Sequence, residues 1–172
     1  MCTGQADPRV PIGLGHLRST AALPLLHANL PILGMYALQA IACTDPAALD
    51  ADQVLALLQN PKLTEYQLFN IVIGLGTFFT LAQLDPRLPL ELLDLLANRH
   101  FLVRNHALDA LRRLYHLPDP KETNGTVTTR ADIRRDKLFS LISTNGKTAD
   151  FHRARQLLQA QITAAVPPYS SN

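Results

Sequence analysis

Apolar positions along this chain recur at helical spacing. Phe151, Ala154, Leu158 and Ile162 fall at i, i+3, i+7 and i+11, and Ala107, Leu108, Ala110, Leu111 and Leu114 form a second stripe. No segment sustains the period-2 alternation of a half-buried strand, so no strands are predicted and the fold class is all-α. The pattern also repeats. Leu23-Pro-Leu-Leu-His to Ala37-Leu-Gln-Ala-Ile41 matches Leu93-Asp-Leu-Leu-Ala to Ala107-Leu-Asp-Ala-Leu111 without a gap over nineteen residues. Self-similarity at such a period is the mark of stacked helix pairs, each of which hides its apolar stripe only against a neighbour.

Punctuation residues divide the chain into elements. Gly4, Pro8, Pro11, Gly13 and Gly15 interrupt residues 1–18 too often for a long helix, which predicts an irregular N-terminal arm. A first helix is expected from Ser19-Thr20, with Pro24 tolerated early in it. Asn29-Leu30-Pro31 restarts the chain into a second helix through Ile32, Met35, Leu38 and Ile41, which stops at Thr44-Asp45-Pro46. Asp50 is the expected cap of a helix over Val54–Leu58 that ends at Asn60-Pro61. Thr64-Glu-Tyr-Gln67 reads as a capping box opening a long apolar helix, closed by Asp85-Pro86.

A third pair has Pro89 near its start, a break around Asn98 to His100, and a helix from Phe101 to about Leu117 before Pro118-Asp-Pro120. Residues 121–128 read as the longest internal loop, and Thr129-Arg-Ala-Asp132 as a capped start leading to Leu138, Leu141 and Ile142. After a turn at Ser143-Thr-Asn-Gly146, Thr148 caps a last helix that Pro167-Pro168 ends. The expectation is a right-handed α-α superhelix of about four stacked hairpins. It comprises an arm over 1–18, one domain over 19–166 and a tail over 167–172.

In this pattern the chain resembles the HEAT-repeat family. There a helix ending in Leu-Leu is followed by a short turn and a helix carrying an Arg and then an Ala-Leu-x-Ala-Leu core. Phe101-Leu-Val-Arg104-Asn-His-Ala107-Leu-Asp-Ala110-Leu111 is the nearest stretch. The first repeat departs from it, with Gly34 at the place of Arg104, and the second keeps only the Leu-Leu anchor. The resemblance implies an architecture with extended faces for partners, and far less about activity.

Composition adds that the core is aliphatic. Hydrophobic residues make up 47% and Trp is absent, which suits closely spaced helices. Cys2 and Cys43 lack motif spacing and read as free thiols in a reducing cytoplasm. Asn124-Gly125-Thr126 fits a glycosylation sequon but reads as a turn. The run Leu68 to Leu84 approaches the length of a membrane span, about 17 residues. Asn70, Thr77, Thr80 and Gln83 dilute it, so a buried helix is the expectation.

Candidate chemistry is sparse. His100, His106, His116 and His152 lack the spacing of three or four that puts two ligands on one helical face, so no metal is expected. Gly13-Leu-Gly15 reads as part of the flexible arm and Gly74-Leu-Gly76 as a close helix crossing, since neither completes a phosphate-binding loop. Carboxylate pairs such as Asp50/Asp52 and Glu91/Asp94 sit at helix starts, where capping explains them. Neither an enzyme nor a cofactor is expected.

What remains is surface. Through Ala97 there are four Lys/Arg against eight Asp/Glu, and from Asn98 onward twelve against six. On the helix beginning at Phe101, Asn105, Asp109, Arg112, Arg113 and His116 fall on one side. Arg130, Arg134 and Lys137 make another stripe, and His152 and Arg155 a third. Together they are expected to form a basic wall for one globular protein partner. The apolar second helices, with Met35, Tyr36, Phe69, Phe78 and Phe79, offer a second face. Small bacterial helical-repeat proteins of this kind include immunity proteins that cover a toxin's active site, so the resemblance implies stoichiometric inhibition. A nucleic-acid-binding repeat protein is the other reading, because basic side chains meet phosphate.

Overall fold

Helices account for about four-fifths of the described chain, and no strand occurs among the described residues. The computed structural model describes residues 7, 9–118, 136–143 and 148–165. In order, the α-helices are α1 (Arg9–His16), α2 (Leu23–Ala28), α3 (Leu30–Leu33), α4 (Met35–Thr44), α5 (Ala51–Leu58), α6 (Glu65–Phe78), α7 (Arg87–Asp94), α8 (Phe101–Leu114), α9 (Lys137–Ser143) and α10 (Thr148–Ala165). Short 3-10 turns cover Thr20–Ala22, Pro46–Ala48, Leu81–Gln83 and Leu95–Ala97. The chain falls into two compact units, Met1–Glu91 and Leu92–Asn172, where the sequence led us to expect one domain over 19–166.

In the N-terminal unit α4 is the hub, packed against α1, α2, α3 and α6. Its sequence explains this. Ala37, Leu38, Ala40 and Ile41 are all fully buried, and two alanines among them keep the helix thin enough for close neighbours. Glycine makes each of two crossings. A Cβ on Gly15 of α1 would lie 2.8 Å from Ala40 Cα, and one on Gly74 of α6 would lie 3.0 Å from Met35 Cα and 2.6 Å from Leu38 Cδ1. The close crossing expected at Gly74 is therefore present.

Of the irregular arm expected over 1–18, residues 1–6 and 8 lie outside the described residues and 9–16 are helical instead. Residues 9–16 are helical because Asp7 supplies a start signal, its carboxylate accepting the Arg9 backbone N–H at 2.9 Å. Pro11 falls in the first turn, where a missing N–H costs little, and packing on α4 outweighs the weak helix propensity of Gly13 and Gly15.

Two expected helices are also divided. The helix expected from Pro31 to Ile41 breaks at Gly34, whose φ of +50° suits glycine and whose missing Cβ leaves room for Asn70 Cβ of α6. The long apolar helix stops at Phe78. Phe79 turns extended yet stays buried, and Gln83 Oε1 accepts from both the backbone N–H (2.8 Å) and the hydroxyl of Thr80 to begin a new turn.

The caps expected at Asp50 and Thr64 are as read, whereas Ser19 makes no side-chain capping bond. Asp50 accepts from Gln53 N–H at 3.0 Å. Thr64 and Gln67 form the reciprocal box, and Gln67 also donates to the Pro31 carbonyl at 3.1 Å, which ties α6 to α3. Asp85 opens α7 rather than merely ending the preceding element. It accepts from the Arg87 backbone N–H, and its hydrogen bond to the Arg87 guanidinium holds the carboxyl down at about 2. Arg87 reaches Asp52 as well, at 2.8 Å.

The C-terminal unit packs the Leu95–Ala97 turn against α8 and α10, with α9 against α8 and α10. Leu96, Leu108, Leu111, Ile142 and Leu158 fill its core. Helix α8 ends at Leu114, three residues before the expected end. His116 adopts φ +51° and Leu117 N–H donates back to the Arg112 carbonyl at 2.8 Å, a left-handed closure made without glycine. The loop over 121–128, the capped start at Thr129, the turn at 144–147 and the stop at Pro167-Pro168 lie outside the described residues.

Substitutions in α1 separate the two roles of its glycines. Gly13 has open space around it, so Gly13→Ala should raise stability by about 0.5–1 kcal/mol. Gly15→Ala forces α1 off α4 and should cost about 1–3 kcal/mol. Urea unfolding of the two variants checks both signs.

Candidate functional site

Two arginines of α8, Arg104 and Arg112, are turned inward, and Arg112 belongs to the face expected to bind a partner. Arg104, the residue on which the repeat resemblance rests, is 2% exposed. Its Nε donates to the Ile142 carbonyl at 2.7 Å, and its Nη1 donates to the carbonyls of Asn98 (2.7 Å) and Arg99 (3.1 Å). The guanidinium also lies 4.8 Å from the Phe151 ring centroid and 5.7 Å from that of Phe101. One side chain thus joins the turn before α8, the end of α9 and the first turns of α10.

Arg112 is 4% exposed, which corrects its place in a surface wall. It pairs with Asp136 at 2.7 Å, both side chains being at least nine-tenths buried. Asp136 is also the cap of α9. Its Oδ1 accepts from Leu138 N–H at 3.0 Å while Oδ2 meets Arg112, so each carboxylate oxygen has a partner. Burial of this pair follows from α8 periodicity, because Arg112 stands one residue past Leu111 and four past Leu108, inside the apolar stripe rather than opposite it.

The remaining expected contact residues divide. Asn105 and Asp109 are half-buried, and Arg155 is tied to Asp94 at 2.6 Å. Arg113, His116, Lys137 and His152 are exposed. Arg130 and Arg134 lie outside the described residues, as do Cys2 and the sequon. Cys43 is exposed and unbridged. Of the apolar second face, Phe79 is buried and Met35, Tyr36, Phe69 and Phe78 are partly covered. Among the described residues no group of three His, Cys, Asp or Glu side chains converges, and no helix is long and apolar enough to cross a membrane.

A concave site does occur in the N-terminal unit. Asp7, Val10, Pro11 and Leu14 form one wall, and Leu25, Leu26, Asn29 and Leu33 the other, around an open cleft of about 170 Å³. The spacing of 7, 10, 11 and 14 is one face of a helical turn series, while 25, 29 and 33 step by four along α2 and α3. Val10 and Leu25 stand at its mouth, 56% and 57% exposed. The lining is apolar except for two polar groups that are already engaged. Asp7 forks onto the Arg9 guanidinium (2.8 and 3.1 Å), and Asn29 Nδ2 donates to the Leu25 carbonyl at 2.9 Å. The Arg9 side-chain hydrogen bond, more than any other influence, lowers the Asp7 carboxyl from its ordinary value.

Such a cleft, apolar on most of its lining, can hold an apolar group. Sequence reasoning missed it because one wall stands on the segment taken for an irregular arm; the signal was Asp7-Pro8 ahead of an i, i+3, i+4 apolar set.

Compared with known proteins, the chain matches no family model, no curated protein and no solved structure.

The two consecutive arginines near the end of α8 differ in burial. Arg112→Ala strands the buried Asp136 carboxylate and should destabilise the fold by about 3–5 kcal/mol. Arg113→Ala, on the exposed side, should stay within about 0.5 kcal/mol of the parent. Thermal and urea unfolding of the pair measures the contrast.

Proposed function

We propose that this chain is a non-enzymatic protein-binding module. Its most specific form is a small cytoplasmic immunity protein, a solenoid of about four helix pairs that neutralises a bacterial toxin by stoichiometric binding. The observation that carries the binding reading is the open apolar cleft between α1 and the α2–α3 segment. Its volume of about 170 Å³ is well below the roughly 300–1,000 Å³ of small-molecule pockets. It is close to that of an apolar cavity that admits a benzene ring, about 150 Å³. The fitting occupant is a single leucine or aromatic side chain projected by a folded protein.

Anchors of this type, seated in a desolvated pocket, carry most of the affinity of many interfaces. The unit around the cleft holds seven Asp/Glu and four Lys/Arg over 1–91, which favours a partner whose anchor is rimmed by basic groups. A protein partner is favoured over nucleic acid because Arg104, Arg112 and Arg155 are engaged within the C-terminal unit, which leaves fewer cations to neutralise phosphate.

The test is co-expression with the toxin domain encoded by the neighbouring reading frame. The expected result is restored growth, a one-to-one complex by light scattering, and affinity weakened about thirtyfold or more by Leu25→Asp with an unchanged unfolding midpoint. No complex, or a complex indifferent to Leu25→Asp, overturns the reading.

A further inference from the structure

Helix α2 is fastened to the start of α5 through one imidazole. His27 lies half-buried in the last turn of α2, with Nδ1 3.1 Å from Gln53 Oε1 and Nε2 3.0 Å from the Ala48 carbonyl oxygen. The Gln53 amide is not free to turn over. Its Nε2 donates to the His27 carbonyl at 2.8 Å, and exchanging the two amide ends would set oxygen against oxygen there. Both ring nitrogens therefore face acceptors.

A neutral imidazole carries one N–H, so in this setting one ring lone pair is left pointing at an oxygen lone pair. The imidazolium donates to both. We propose that His27 is a proton-operated clamp: in the folded chain it takes a second proton and locks α2 to the Pro46–Ala48 turn and to α5.

The surroundings leave this geometry in charge. Of the elements packed against α2, α4 brings Tyr36 and Cys43 as its titratable groups, whereas α3 and the Thr20–Ala22 turn bring none; α1, across the cleft, brings His16 and Arg9, the latter paired with Asp7 at 2.8 Å. On the clamped side, Asp45 caps Ala47 N–H at 3.0 Å, Asp50 caps Gln53 N–H at 3.0 Å and Asp52 pairs with Arg87 at 2.8 Å. The direction of the effect follows from linkage. Only the folded chain brings the Gln53 and Ala48 oxygens to the two ring nitrogens, and only the imidazolium donates to both, so the clamp closes on the acid side and is lost as pH rises. Leu25 and Leu26 sit one and two residues before His27 and wall the apolar cleft, so opening the clamp frees that wall. This consequence rests on the binding reading; the clamp does not.

The experiment compares urea unfolding of the full chain with that of His27→Gln at about pH 5.5, 6.5, 7.5 and 8.5. The other five histidines are common to both proteins and cancel. On going from the alkaline to the acid end, the folding equilibrium constant of the parent should gain about tenfold over that of the variant. A ratio that is flat, or that moves the other way, overturns the proposal. Should His27→Gln not fold, a long-range ¹H–¹⁵N spectrum of the parent at about pH 7 decides. Two protonated ring nitrogens support the clamp, and a single protonated nitrogen refutes it. Neither outcome depends on any partner, so failure here leaves the proposed function to its own test.

Discussion

A guanidinium taken out of water must be met by acceptors, and that requirement organises the C-terminal unit. Arg104 and Arg112 both enter the interior from α8, one helical face wide of each other, and each reaches an element distant in sequence. Arg104 answers backbone carbonyls that would otherwise end their elements without donors. Arg112 answers the capping carboxylate of α9. The desolvation cost of two buried cations is several kcal/mol each, so neither would stay inside unless these acceptors were fixed in place. The arrangement is cooperative as a result, since α9 is held at its start by Arg112 and at its end by Arg104.

The N-terminal unit meets a different constraint. Its hub, α4, has no charged side chain and is shielded by neighbours that approach on glycine. Close approach at Gly15 seats α1 on α4, while Val10 and Leu14 line the cleft opposite Leu25 and Leu26 of α2. Two short elements, α2 and α3, form the facing wall because Pro24, Pro31 and Gly34 deny them greater length. The cleft is thus a by-product of where helices are allowed to continue. Its rim charges are neutralised locally by the Asp7–Arg9 pair.

Much of this was legible beforehand, and the failures have a common cause. Helix type, the Asp50 and Thr64 caps, the Gly74 crossing and the aliphatic core follow from periodicity and local hydrogen-bond chemistry, which a sequence carries openly. The single helix expected over 31–41 breaks at Gly34, where φ is positive and an added Cβ would lie 2.8 Å from Asn70 Cβ on another element. The arm over 1–18 was misjudged because propensity was given more weight than packing. Arg112 was assigned to the surface because charge was taken to outrank its position beside Leu108 and Leu111, and its partner, Asp136, stands beyond a long loop. In each case the deciding contact is distant along the chain.

The N-terminal unit carries an exposed apolar recess, and several conspicuous arginines of the C-terminal unit have internal duties. Amide hydrogen exchange across the whole chain, with and without the proposed protein partner, tests that division most directly. The account predicts new protection concentrated over residues 9–33, with α8 and α10 exchanging as before. Protection confined to α8, α9 and α10, with 9–33 unchanged, would contradict it.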